Sequence, residues 1–254
     1  MLTAERKRMI LERLRRDGKV LASELSKEFE TSEDTIRRDL RDLAAAGMLQ
    51  RVHGGALLKP PIAATYAARQ KQSPDAKVAI AKAAATLARN GQVIFLDGGT
   101  TTLQIAHCLP RDLRATIVTN SAPHAIALAE HPSVDIILIG GKFLKEGLIT
   151  VGMEMFESFN YINADLCFLG VCSLHREIGI TVSDLEESHR KRAMINRAAE
   201  VVALAGAEKL ETASPFVVAP LKELTYLVTE QAANSRVLKQ YEKLGITIVR
   251  ASDR

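Results

Sequence analysis

The chain has no tryptophan, only 4% aromatic residues and three cysteines. With so few rings, a core must be built from Ala, Leu, Ile and Val in helices and buried strands, and the 47% apolar fraction suits that. Cys108, Cys167 and Cys172 are too few for a disulfide framework, and the spacing of the last two fits no common zinc pattern. They are expected to be small buried apolar residues. No apolar run approaches the roughly 18–20 residues that span a bilayer, and the N-terminus, charged every few residues, lacks the apolar region of a signal peptide. These absences imply a cytoplasmic protein with no membrane segment. The G-x-G-x-x-G fingerprint is also missing, which argues against NAD, and no cofactor or metal is expected. There is neither an internal repeat nor a low-complexity segment.

What is present is room for two domains and a change of pattern between them. A length of 254 residues allows a small domain beside a larger one. The formal net charge of +4 is modest, so its distribution matters more than its total. Residues 1–59 carry 13 Lys and Arg against 10 Asp and Glu, whereas the remainder is balanced at 21 against 20.

The first quarter reads as three short helices. TAERKRMILERLRR (3–16) places Met9, Ile10, Leu11 and Leu14 on one stripe, with Thr3 as its N-cap and Asp17-Gly18 as its stop. LASELSKEF (21–29) repeats Leu21, Leu25 and Phe29 at helical spacing. Thr31 or Ser32 then caps a third helix running to about residue 45. Two short helices joined by a tight turn make a helix-turn-helix. MLQRV followed by His53-Gly54-Gly55-Ala56 looks like a strand, a glycine tip and a return strand, that is, a wing.

In the third helix, at about 100° per residue from Ile36, Leu40 and Leu43 fall within about 40° and form a buried stripe. Asp34, Arg38 and Arg41 fall on the opposite side, with Thr35 and Arg37 flanking. Two readings are open. The arginines can be solvated and paired with Glu33, Asp34, Asp39 and Asp42, or they can face DNA, since a guanidinium holds guanine O6 and N7 or a phosphate with two bonds. In the second reading Arg38 is the base-reading candidate, Arg37, Arg41 and Arg51 contact the backbone, Ser32 and Thr35 reach phosphates or bases, and His53-Gly54 lets the wing approach a phosphate.

Residues 59–75, with Pro60, Pro61 and Pro74, read as a linker holding one short helical piece. Beyond it, short apolar strands such as VIFLD (93–97), TIVTN (116–120), VDIILIGG (134–141), LCFLGV (166–171), EVVALAG (200–206), LTYLVT (224–229) and ITIVR (246–250) alternate with helices, which implies a parallel, doubly wound α/β domain over 76–254. The strand-to-helix turn Asp97-Gly98-Gly99-Thr100-Thr101-Thr102 can cradle an anion with its backbone N–H groups and hydroxyls, or be a plain turn capped by Thr100. Asp97 would repel a phosphate and is assigned to ligand hydroxyls or to shaping the turn. Asn120, Ser121, Gly140 and Gly141 end other strands at the same carboxyl edge, where ligands of such sheets bind.

Residues 23–56, SELSKEFETSEDTIRRDLRDLAAAGMLQRVHGGA, resemble the DNA-binding domain of the DeoR family of bacterial transcription regulators, whose signature pairs TIRRDL with RVHGGA. The resemblance continues through LDGGTTT, IVTNS, ILIGG, ADLCFLG and the KRAMI helix. It implies a winged helix-turn-helix (1–58) joined to a Rossmann-like sensor similar to ribose-phosphate isomerase and CoA-transferase folds. It also implies a repressor of carbohydrate genes that binds operator DNA as a homo-oligomer and responds to a phosphorylated sugar. By motif match Thr35, Arg37 and Arg38 belong to the recognition helix, and Asp97, Gly99, Thr100, Thr101, Asn120, Gly141, Lys191 and Lys209 surround the effector.

Two departures stand out. Gly206-Ala207-Glu208-Lys209 replaces the usual Asp-Ser pair before the lysine, and His189 stands where the family often has Glu. Both are expected to alter which hydroxyls or phosphates are accepted, or to mark a regulator that has lost sensing. An alternative of another class is a sugar-phosphate isomerase with an accessory DNA-binding domain, for which Asp184, Glu186 and Glu187 near Lys191 offer bases.

Overall fold

The computed structural model describes residues 1–60 and 65–252, so linker residues 61–64 and the last two residues of the sensor region lie outside it. The first helix, α1 (Thr3–Asp17), starts at Thr3 instead of being capped by it: Leu2 is the N-cap and offers no side-chain bond. Gly18 closes the helix at φ 75, its N–H donating to Leu14 C=O. A strand not anticipated from sequence follows, β1 (Lys19–Leu21), then α2 (Ala22–Glu28) and α3 (Glu33–Ala45). Ser32 caps α3, its hydroxyl accepting from Thr35 N–H at 3.2 Å. Ile36, Leu40 and Leu43 are buried against Ile10, Leu14 and Leu25, as the helical stripe requires.

The wing comprises β2 (Gln50–Val52) and β3 (Gly55–Leu57), and β3 lies between β1 and β2 in an antiparallel sheet. Gly55 is needed for that crossing, since a Cβ there would stand 2.0 Å from Val20 C=O. His53 and Gly54, the latter at φ 75, form the tip, and Gly55 already belongs to β3. Within the linker lies α4 (Tyr66–Lys71), and α5 (Pro74–Ala85) begins at a proline whose missing N–H costs nothing in the first turn.

The sensor domain runs β4 (Val93–Leu96), α6 (Thr100–Cys108), β5 (Thr116–Thr119), α7 (Ala122–Leu128), β6 (Asp135–Leu138), β7 (Lys142–Leu144), β8 (Ile149–Val151) and α8 (Met153–Asn160). It continues with β9 (Ala164–Gly170), β10 (Ser173–His175), β11 (Gly179–Val182), α9 (Leu185–Asn196), β12 (Ala198–Leu204), β13 (Phe216–Ala219), β14 (Tyr226–Glu230), α10 (Ser235–Glu242) and β15 (Thr247–Ala251). Seven of these strands form one parallel sheet in the order β15-β14-β12-β9-β4-β5-β6. Alternate residues feed two cores. Ile94, Leu96, Leu166, Phe168, Val202 and Leu204 pack against α5 and α6. Phe95, Cys167, Leu169, Val201 and Ala203 pack on the other face with Met155, Phe159 and Tyr241. Phe95 and Phe159 meet edge to face at 5.1 Å.

Two antiparallel additions escaped the sequence reading: the β7–β8 hairpin and a small sheet of β10, β11 and β13. The second carries the joint to the DNA-binding domain, where Lys19 pairs with Glu177 and Leu58 pairs with Thr212. Chain order reverses between β4 and its neighbour β9. Such a reversal opens a crevice at the carboxyl ends of the strands.

Candidate functional site

On α3 the acids and the arginines are sorted among different partners. Asp39 is buried and bonded to Arg6 Nε at 2.5 Å, Asp42 takes Lys7 Nζ at 2.6 Å, and Glu33 takes Arg37 at 2.7 Å. The Lys7 ammonium holds the Asp42 carboxyl below the usual range. Arg38 and Arg41 stand exposed, and among the described residues neither has a carboxylate within ion-pair distance. The solvated reading of this face therefore fits Arg37 and leaves Arg38 and Arg41 without the partners it assigns them. Thr35 is half-buried, and its hydroxyl lies 2.9 Å from that of Ser32. Arg51, His53 and Gly54 are exposed on the wing.

In the sensor domain, a cavity of about 330 Å³ opens at the β4–β9 reversal. Of the ten residues expected around an effector, Gly98, Gly99, Thr100, Thr101, Lys191 and Lys209 line it; Asp97, Thr102, Asn120 and Gly141 do not. Asp97, Thr102 and Gly141 are spent on structure, and Asn120 in part, its buried Oδ1 having no partner among the described residues. Asp97 is fully buried beneath the cavity, paired with Arg190 and Lys191, and accepts from Gly170 N–H at 3.1 Å. Burial alone would raise its pKa, but the two cations hold it below the usual carboxylate range. It shapes the turn and cannot reach ligand hydroxyls. Thr102 donates to Gly99 C=O at 3.0 Å and lies 3.1 Å from His124, an imidazole that burial pushes down to about 4 and so keeps neutral. Asn120 donates to Thr150 C=O at 2.7 Å, and Gly141 gives room to Val151 C=O, 2.6 Å from where a Cβ would be.

Lys191 is therefore a different group from the one expected. Burial opposes its charge, Asp97 and Glu187 restore it, and its pKa is raised. Its Nζ also donates to Gly170 C=O at 2.6 Å, so its charge is largely satisfied before any ligand arrives. Arg190, missed in the sequence, shares this role. Lys209 is the contrasting case: desolvation, with Lys191 and Arg69 nearby, outweighs Glu208 and Cys172 and lowers its pKa.

Three further wall residues also escaped the sequence reading, because they lie in and just after the linker. Arg69, Ser73 and Lys77 line the cavity, and Lys77 donates to Arg69 C=O. Desolvation, reinforced by Lys209, lowers the Lys77 pKa too. Arg69 of α4, Lys77 of α5 and Lys209 thus come together, with Glu208 as the one carboxylate beside both lysines, while Glu146, Asp184, Glu186 and Glu187 supply acceptors elsewhere.

The two sequence departures have different fates. His189 is exposed and off the cavity wall, so it does not select the ligand by contact. At Gly206 the missing side chain is replaced in space: the Glu208 carboxylate lies 2.2 Å from where a Cβ on residue 206 would be. The acids offered for isomerase chemistry are also engaged. Asp184 caps α9, accepting from Glu187 N–H at 2.8 Å, and Glu187 lies 3.4 Å from Lys191. No cluster of His, Cys, Asp and Glu suited to a metal occurs among the described residues, and no helix among them is long and apolar enough to cross a membrane.

Comparison with known proteins follows the same division. Residues 6–60 match the DeoR-like helix-turn-helix domain, and residues 72–231 match the DeoR C-terminal sensor domain. The transcriptional regulator GlpR of Haloferax volcanii is 36% identical over 252 residues, covering 98% of each chain. The transcriptional repressor GlcR of Bacillus subtilis is 31% identical over 252 residues, covering 98% of this chain and 96% of its own. Among solved structures, ribose 5-phosphate isomerase A of Methanocaldococcus jannaschii aligns over 55% of each chain at 17% identity, with a TM-score of 0.41. The relatives that match end to end are regulators, not isomerases, and the chain belongs to the DeoR family of helix-turn-helix transcription regulators.

Proposed function

We propose that this chain represses carbohydrate-metabolism genes in the cytoplasm, binding operator DNA as a homo-oligomer and responding to a phosphorylated sugar held in the sensor cavity. The observation that carries the effector reading is the cavity wall. Lys77 and Lys209 are both desolvated and short of matched acids, and they share the cavity with the Gly98–Thr101 turn and the start of α6. A phosphate dianion supplies the charge that this wall lacks. The acids elsewhere on the wall suit sugar hydroxyls, which donate hydrogen bonds to carboxylates. The inhibitory sign is supported by the name of the Bacillus subtilis relative, a transcriptional repressor.

The two-part division, 1–58 and 76–254 with a linker at 59–75, gives each task its own domain. On the DNA side, Arg38 reads a base, while Arg41 and Arg51 meet phosphates with help from His53 and Gly54 at the wing. Ser32 and Thr35 sit at the N-terminus of α3, the end that enters the major groove in this motif. Arg37 reaches the backbone only by leaving Glu33.

The test is fluorescence anisotropy on duplex DNA from upstream of the protein's own gene, at fixed salt, with and without a panel of sugar phosphates. Specific binding weakened by one compound and untouched by its unphosphorylated parent supports the reading. Specific binding that no compound alters refutes the effector, and the absence of specific binding refutes the assigned DNA face.

A further inference from the structure

One short stretch of chain joins the cavity to the DNA-binding domain. Gly206, Glu208 and Lys209 line the cavity. Ala207–Lys209 form a single 3-10 turn, closed by Lys209 N–H donating to Gly206 C=O at 3.0 Å. Three residues later Thr212 pairs in parallel with Leu58, at the exit of the wing, and Ala213 N–H donates to Leu58 C=O at 3.0 Å. Leu58 N–H in turn donates to Gly18 C=O, the residue that closes α1. The Thr212 hydroxyl links the two ends of the stretch, donating to Lys209 C=O at 2.7 Å. Thr212 and Ala213 are buried, so solvent does not compete for these bonds.

Between the turn and the joint stands a second, independent feature. Glu211 has φ 55, a left-handed conformation that a glutamate keeps only where its surroundings enforce it. Its carboxylate lies 3.2 Å from Arg176 Nη1, and its N–H donates to Tyr241 Oη at 3.4 Å. At the other end of the linker, Arg69 and Ser73 also line the cavity. The segment that leaves the DNA-binding domain thus meets the strap at Leu58 and the cavity wall at Arg69 and Ser73.

We propose that the Gly206–Ala213 strap is the element through which occupancy of the cavity sets the placement of the DNA-binding domain, with Thr212 as its positioning residue. The inference rests on the effector reading above. A phosphorylated ligand in contact with Lys209 moves the 3-10 turn, the Lys209 carbonyl moves with it, and the Thr212 hydroxyl carries the shift to the Leu58 joint. A ligand can bias that joint only through contacts that differ between two arrangements. Lys209 is the group whose contact differs, and the constrained Glu211 backbone is where the strap can change conformation.

The test separates binding from coupling. Calorimetry gives the affinity of the full-length protein for glucose 6-phosphate, fructose 1-phosphate, glycerol 3-phosphate and inorganic phosphate. Anisotropy gives its DNA affinity with and without each, and the ratio of the two DNA affinities is the coupling factor, commonly about 5- to 150-fold in allosteric proteins. Thr212→Val, which keeps the shape and removes the hydroxyl, is expected to leave both separate affinities within about threefold and to bring the coupling factor below about twofold. Thr212→Ser restores it. Glu211→Gly, which releases the left-handed constraint on the same strap, is expected to lower the factor independently. Coupling that survives in both Thr212→Val and Glu211→Gly overturns the strap while leaving the effector reading intact. A native chain that binds its DNA specifically and answers to none of the four probes overturns both.

Discussion

On α3, the arginines that matter stand in water with their potential acidic partners already taken; in the sensor domain, Arg190 and Lys191 are almost wholly buried around Asp97, and Lys191 is also bonded to Gly170 C=O and close to Glu187. The first arrangement leaves charge available to an external polyanion. The second spends charge on holding a turn in shape, and the positive potential available to a ligand comes from Lys77 and Lys209, which lie outside that buried group. A lysine in a ligand cavity can thus be architectural or ligand-seeking, and its acidic neighbours decide which. Lys191 has Asp97 and Glu187 close by, whereas for Lys209 desolvation outweighs its one nearby carboxylate.

The largest effect should come from breaking the buried group. Asp97→Asn removes the carboxylate shared by two buried cations, taking the ion pair from Arg190 and leaving Lys191 with Glu187 at 3.4 Å, and is expected to cost about 3–5 kcal/mol of stability, read from urea midpoints. Asp97 titrates below the ordinary carboxylate value in the folded state. Its contribution is therefore complete above the unfolded value of about pH 4 and is lost as pH falls through the lower folded value. The variant should lack this acid-side fall in stability. A loss below about 1 kcal/mol would place Asp97 with the exposed pairs and remove the contrast between the two regions.

Next in size is Arg38→Ala, expected to cost about 1–3 kcal/mol of discrimination between operator and random DNA. Competition anisotropy reads this directly, and unchanged discrimination would remove Arg38 from base readout. Lys77→Met should follow, weakening a phosphorylated effector about tenfold while leaving its unphosphorylated parent unaffected, consistent with loss of one charge-assisted bond. The pH dependence has a definite sign. Both Lys77 and Lys209 have lowered pKa values, and an incoming phosphate raises them again. Binding should take up protons as pH approaches the lowered lysine values, and affinity should fall as pH is raised from neutral toward the ordinary lysine value of about 10.4. Calorimetry in buffers of different ionisation enthalpy, carried from neutral pH up to about the ordinary lysine value, tests this; no proton uptake anywhere in that range would mean that neither lysine meets the phosphate.

The sequence made the parallel sheet legible because strands such as VIFLD and LCFLGV are apolar on both faces, and it made α3 legible because Ile36, Leu40 and Leu43 keep one stripe. It could not show β1, β7, β8, β10, β11 or β13, strands of three or four residues: β7–β8 and β10–β11 are hairpins too short to display an alternation, and β1 and β13 form through partners distant in the chain. The same limit applied to the site. Gly98–Thr101 could be placed from their own strand end, but Asp97 and Thr102 differ from them only in the side on which they are buried. Arg69 and Lys77 carry no local mark at all. They reach the cavity because α4 and α5 fold back over the carboxyl edge, a relation that no window of sequence contains.

The smallest effect concerns the wing and tests whether exposed charge there differs in kind from that on α3. Arg51 lies on the outer strand β2, exposed, and its backbone carbonyl accepts from the Gln50 side chain at 3.1 Å. A guanidinium so placed can neutralise a phosphate without reading a base. Arg51→Ala should therefore weaken operator and random DNA alike and reduce the slope of log affinity against log salt by about 0.9. Arg38→Ala should instead change the ratio of the two affinities more than the slope. If Arg51→Ala altered the ratio and left the slope untouched, the wing would be reading sequence, and the division of labour between β2 and α3 would have to be reversed.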